Sequence, residues 1–118
     1  MESYKVVLTK AALNDLDDIG TYVAHLSGSR TTSYRLVGKI KRAIGNLSNF
    51  CHYQLLDNPD LKHYSLRRIT IKHYNVYFTV SDKTKEVTII AVLYGSRNVT
   101  PLLHLRLSRL QFEVNWLN

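Results

Sequence analysis

The spacing of apolar residues changes period several times along the chain, and each change marks an element. Tyr4, Val6 and Leu8 alternate with Lys5 and Val7, the two-residue period of a short strand. Thr9 is placed to cap a helix, and Ala12, Leu16, Ile19, Val23 and Leu26 then recur at helical spacing, so one stripe faces a core while Asn14, Asp17 and Asp18 project away. Gly28 is a natural stop, and the Ser/Thr cluster after it offers a new N-cap near Thr31 to Ser33. In the second helix Val37, Ile40, Ile44 and Leu47 line the apolar side and Arg35, Lys39 and Arg42 the opposite one. So short a link predicts an antiparallel helix hairpin. Gly38 and Gly45 share a side with Tyr34, which leaves two readings open: close approach of another helix, or simple tolerance at a cost of about 1 kcal/mol each.

From Asn49 to Lys62 no period is sustained, and Asn58-Pro59 has turn chemistry, so a loop is expected. Strands are predicted over 65–71, 74–81 and 86–94, an antiparallel meander. A two-residue turn at Lys72-His73 sets Arg68 opposite Tyr77 and Thr70 opposite Asn75, all on one face. Ile69, Ile71, Tyr74, Val76, Phe78 and Val80 take the other face, joined by Val87, Ile89, Ala91 and Leu93, and this face is expected to receive the hairpin. Ile90, Val92 and Tyr94 would then point toward the arginine face, so part of that face needs a cover. Thr100 and Pro101 suit an N-cap and first helical position, and Leu103, Leu107, Leu110, Val114 and Leu117 form a helical stripe with Leu105, Phe112 and Trp116 opposite. Leu103, Leu105 and Leu107 also alternate as a strand would. The fold class expected is α+β: an N-terminal strand, a helix hairpin, a three-stranded meander and a C-terminal helix.

Composition narrows the chemistry. With 118 residues the chain fits one domain, and its formal charge of +7 favours phosphate or an acidic protein segment as partner. Cys51 is the sole cysteine, so no intramolecular disulfide can form and the cytoplasm is the expected home; no run approaches the roughly 20 apolar residues of a membrane helix. The histidines lack metal-ligand spacing, Cys51-His52 and His63 read as surface or satisfied loop residues, and no phosphate loop or nucleophile elbow is present, so no cofactor or metal is expected. What stands out is a sheet face bearing Arg68, Asn75 and Tyr77, with Arg97 just after the last strand. Two arginines can clamp a phosphate or carboxylate and a tyrosine can stack on a base; the alternative is that both arginines are ordinary solvated charges.

The order of elements, with "LRRITIKHYNVYFTV" and "VTIIAVLYGSRN", resembles the RelE/ParE superfamily of bacterial type II toxins over residues 4–98. The "YKVVLTKAALNDLDDIGTYVA" opening is similar to that superfamily's first strand and helix. The resemblance implies a toxin domain at 1–99 with an amphipathic extension at 100–118, and a growth-inhibiting toxin neutralised by a cognate antitoxin. Two targets are open on one scaffold. RelE-like and YoeB-like members are metal-independent endoribonucleases that cut mRNA on the ribosome; ParE-like members bind and block DNA gyrase. A nuclease would need a base, cations and an acid, for which Arg68, Arg97, His73 and Tyr94 are the candidates, with Lys72 nearby. Asn75, however, stands where the RelE-like pattern has arginine, and Leu102 and Leu103 occupy the region where a catalytic tyrosine is expected. These departures favour gyrase, with Arg68, Asn75, Tyr77 and Arg97 as target contacts, whereas the basic charge suits a ribosome. A third reading is a non-toxic binding module or oligomer whose C-terminal segment covers the arginine face. An antitoxin segment rich in Asp and Glu is expected across the sheet and the stripe of Arg35, Lys39 and Arg42.

Overall fold

The structure, a computed structural model, describes residues 3–95 and 98–117, and the side chains of 3–95 and 98–110. Strand β1 (Lys5–Leu8) leads into helices α1 (Lys10–Ser27) and α2 (Arg30–Asn46), then a loop with a short 3-10 turn at Lys62–Tyr64, strands β2 (Arg67–Ile71), β3 (Tyr74–Ser81) and β4 (Glu86–Tyr94), and helix α3 (Thr100–Leu117). The sheet order is β1-β4-β3-β2; β1 runs parallel to β4 and the other pairs are antiparallel.

Local chemistry explains the boundaries. Thr9 ends β1 and starts α1 at once: its hydroxyl donates to the Ile89 carbonyl at 2.9 Å and accepts from the Ala12 amide at 3.2 Å. Gly28 closes α1 in the left-handed region, at φ 68, where a β-carbon would strain the backbone. Ser29, accepting from the Thr32 amide at 3.1 Å, caps α2, so that helix begins ahead of the cap expected at Thr31 to Ser33. Ser33 instead faces α1 and donates to the Gly20 carbonyl at 2.6 Å. The glycine turned toward a neighbouring helix is therefore Gly20, opposite Val37. Gly38 would bring a β-carbon near Arg42 alone and Gly45 near nothing, so tolerance, not close packing, accounts for both.

The hairpin lies on one face of the sheet. Ala12, Leu16, Ile19, Ile40, Ile44 and Leu47 bury against Val76, Phe78, Val87, Ile89 and Val92. Cys51, in the loop after α2, joins this core, so of the two readings, surface or satisfied loop residue, the surface one is corrected; burial raises its thiol pKa above the usual value. Leu26, at the far end of the α1 stripe, stays exposed.

A β-bulge changes the second half of β4. Tyr77 pairs with Ala91 while Phe78 pairs with Ile89, which leaves Ile90 as the extra residue. One added residue inverts every side chain beyond it. Val92 therefore joins the hairpin core, while Ala91 and Leu93 turn to the opposite face with Ile90, reversing the faces that strict alternation assigned to Ala91, Val92 and Leu93. Tyr94, paired with Tyr74, likewise falls on the hairpin side. The opposite face is covered as the sequence required: Leu103 and Leu107 of α3 bury against Tyr77, Ile90, Ala91 and Leu93, with Leu61 and Leu66 from the loop completing the cluster. Val114, Leu117, Phe112 and Trp116 lie outside the described side chains. No helix of the described residues is long and apolar enough to cross a membrane.

Candidate partner-binding surfaces

The tight β2–β3 turn, with Lys72 at φ 57, sets the register that the sequence predicted: Arg68 opposite Tyr77 and Thr70 opposite Asn75. These residues do share a face, but it is not an open one. Tyr77, packed in the cluster with Leu103 and Leu107 of α3, is 4% exposed and Asn75 8%, while Arg68 and Thr70 on the outer strand are exposed. Asn75 is held by its neighbours: its carbonyl oxygen accepts from the Thr70 hydroxyl at 2.7 Å, and its amide reaches the Tyr77 hydroxyl at 3.5 Å. Gly95 closes over it, its amide donating to the His73 carbonyl at 2.8 Å, and a β-carbon there would come within 3.2 Å of the Asn75 amide nitrogen. An arginine at position 75 would find this space filled. Arg97 lies outside the described residues.

Two residues that the sequence reading did not single out fix α3 in place. Asp15 sits on the edge of the α1 stripe, between Ala12 and Ile19, and is buried; Arg106 meets it through two bonds of 2.6 and 2.9 Å. The pair also serves the backbone. Because β1 stops at Leu8, the β4 edge continues without a partner strand, and there the Asp15 carboxylate accepts the Val92 amide at 2.9 Å while Arg106 donates to the Ile90 carbonyl at 3.2 Å. The position of Asp15 beside the stripe was the one sequence signal for this; its partner lies 91 residues away.

On the hairpin side, α1, α2 and the ends of β3 and β4 leave a groove of about 590 Å³ floored by Ile19, Val23, Leu36 and Tyr74. Tyr22, Tyr74 and Tyr94 gather around it; burial first, then Tyr22 and Tyr94, raises the pKa of the Tyr74 phenol. Tyr22 is 60% and Leu26 71% exposed at the rim, an unusual outlay of apolar surface. A second hollow of about 310 Å³ shares Val23, Leu36, His73 and Tyr74 with it and adds Arg35, Lys39 and Lys72. Those three cations form no ion pair with any described residue. Arg42, farther along α2, is exposed beside Gly38. The result is an apolar trough with Asp15 and Asp18 in the lining of its larger part and Arg35, Lys39 and Lys72 around the smaller one.

Of the four residues named for a nuclease, the three that are described, Arg68, His73 and Tyr94, do not converge. His73 and Tyr94 stand together at the trough, ring centres 6.2 Å apart, on the hairpin side. Arg68 faces the α3 side, with the sheet between them.

The family described as "ParE toxin of type II toxin-antitoxin system, parDE" matches residues 6–99, so α3 lies beyond the matched segment. Among solved structures, the chain is similar to the chromosomal ParDE toxin-antitoxin system from P. aeruginosa, at 20% identity and a TM-score of 0.64, covering 78% of this chain and 96% of that one. It is also similar to the toxin-antitoxin complex RelBE2 from Mycobacterium tuberculosis, at 17% identity and a TM-score of 0.51, covering 78% of this chain and 98% of that one. No curated protein matches the chain.

Proposed function

The chain belongs to the ParE toxin family of type II toxin-antitoxin systems, and from that premise we propose that it arrests growth by binding DNA gyrase and is neutralised by an antitoxin segment seated in the trough. Inhibition of gyrase is typical of this family. The observation that carries the choice over RNA cleavage is the separation of Arg68 from His73 and Tyr94 by the sheet, since in-line attack on a phosphate needs base, cation and acid around one reacting atom. Asn75 adds to this, because its side-chain amide is spent on Thr70 and Tyr77.

The trough supports the antitoxin half of the reading. Its floor of Val23, Leu36 and Tyr74 suits apolar side chains spaced along one face of a helix, and Arg35, Lys39 and Lys72 suit Asp and Glu on the flanks of that helix.

The purified chain is expected to abolish supercoiling by gyrase while leaving mRNA on programmed ribosomes intact. Cleavage of that mRNA, lost in Arg68→Ala, would instead make the protein a ribonuclease. For the trough, Arg35→Glu combined with Lys39→Glu should weaken antitoxin binding by about a hundredfold and flatten its salt dependence. Unchanged affinity would move the antitoxin elsewhere.

A further inference from the structure

Helix α2 carries Arg30, Arg35, Lys39, Lys41 and Arg42 and no acidic residue. The trough accounts for Arg35 and Lys39 only; Arg30, Lys41 and Arg42 do not line it. These three are exposed, and none forms an ion pair with a described residue. Helical spacing sets them around one ridge. Tyr34, Gly38, Lys41 and Gly45 recur at intervals of three or four residues, and Arg42 follows Gly38 by one turn. Arg30 and Lys41 border the hollow between α1 and α2, where Asp17 bounds the ridge, and Arg42 lies on its other flank. Tyr34 is 76% exposed. A β-carbon at Gly45 would meet nothing and one at Gly38 only the Arg42 guanidinium, so the middle of the ridge is bare backbone between two cationic flanks. Within the chain both glycines are merely tolerated; a partner that rests on the backbone uses them.

We propose that this ridge of α2 binds duplex DNA, seated in the major groove with Arg30 and Lys41 on the phosphates of one strand and Arg42 on those of the other. A helix with its side chains is about 10–12 Å across and the major groove of B-form DNA about 12 Å wide, so a ridge lowered by glycine enters while its flanking cations reach both backbones. The deep, narrow major groove of A-form RNA does not admit it. Glycine has no side chain to read base edges, so the contact is with phosphates and is indifferent to sequence. An acidic protein helix would need an apolar stripe beside the cations; the trough has one, whereas the ridge offers Tyr34 alone. That gyrase holds the DNA so bound rests on the function proposed above; the binding of duplex does not.

Fluorescence anisotropy of the full chain with a short labelled duplex of mixed sequence is the test. Lys41→Glu combined with Arg42→Glu removes two phosphate contacts, so affinity is expected to fall about fiftyfold at about 0.1 M salt and the salt slope to shrink by about 2. Lys62→Glu combined with Arg109→Glu makes the same charge change on exposed residues of the α3 side and should cost no more than about threefold, because charges beyond a Debye length are screened. Gly38→Leu alters no charge but fills the bare middle of the ridge, and is expected to weaken binding about tenfold. Equal losses in the two double variants would reduce the binding to net charge and overturn the proposal. Unchanged affinity in Gly38→Leu, or equal affinity for an RNA duplex, would also overturn it. So would polyglutamate bound more tightly than the duplex, which would assign the ridge to an acidic protein. Should the variants not fold, the unaltered chain decides: duplex is expected to slow acetylation of Lys41 about tenfold and that of Lys62 less than about twofold, and equal protection overturns the proposal. No readout involves gyrase, so a failure of gyrase inhibition and a failure of DNA binding are told apart.

Discussion

On the hairpin side of the sheet, Leu16, Ile19, Ile40 and Ile44 meet Val76, Phe78 and Ile89 in a buried apolar cluster. On the α3 side, Leu103 and Leu107 meet Tyr77, Ile90, Ala91 and Leu93, and Arg106 reaches Asp15 of α1. Aliphatic burial contributes in proportion to area and tolerates small shifts, whereas the polar side depends on a few bonds of fixed geometry. The hairpin side therefore rests on apolar area, and the α3 side on apolar area together with the few bonds of Arg106. The polar ties differ in exposure: His52 and Asp82 are hydrogen-bonded at 2.7 Å with side chains 46% and 64% exposed, while Arg106 and Asp15 meet with side chains 19% and 10% exposed.

The strongest way to probe this contrast is Phe78→Ala, which leaves a cavity at the centre of the hairpin core and should cost about 3–5 kcal/mol. Chemical denaturation should then show loss of the whole fold in one transition. A cost under about 1 kcal/mol would mean that the hairpin side is not the main core. On the other face, Leu107→Ala is expected to cost about 2 kcal/mol, at the low end for a buried leucine, because α3 can settle toward the sheet. A loss as large as that for Phe78 would erase the proposed difference. Gly45→Ala, in α2 with no neighbour in reach of the new methyl, should stabilise the hairpin by about 0.5–1 kcal/mol. A destabilised variant would reopen the possibility of close packing at that site.

The smallest effect concerns the exposed tie. Asp82 accepts from the Tyr4 hydroxyl at 2.6 Å and meets His52, and these bonds, that from Tyr4 first, hold its carboxyl pKa below the ordinary 3.8. The same bond, ahead of burial, raises the Tyr4 phenol pKa above 10.0. A lowered acid stabilises above its ordinary value and loses that contribution as pH falls through the lowered one; a raised phenol loses its contribution as pH rises through the raised one. The tie is thus intact between these limits. Thermal melts on going to pH 3 and below should fall slightly less steeply for Asp82→Asn than for the parent, and identical slopes would remove the tie from the acid response.

Much of this architecture was legible in the residues. Thr9, Gly28 and the helical stripes placed the hairpin, and a two-residue turn placed Arg68 opposite Tyr77, because caps and periods act over a few residues that the chain itself supplies. The site was legible only in part. Arg35, Lys39 and Arg42 were recognisable as one exposed stripe, but that Lys72 and an apolar floor complete it depends on how the hairpin docks.

Beyond that, the amino-acid sequence determined that β4 is a strand, but not which way it faces, and for residues 103–107 it allowed a helix or a strand, of which the structure has the helix α3. From Ile89 to Leu93 every residue is apolar, so a slip of one position leaves no trace in the pattern, and only packing against two different layers selects the bulge at Ile90. The parallel pairing of β1 with β4 and the meeting of Asp15 with Arg106 were likewise decided by tertiary structure. Each joins residues far apart in the chain, and their geometry exists only once the hairpin, the sheet and α3 have been brought together.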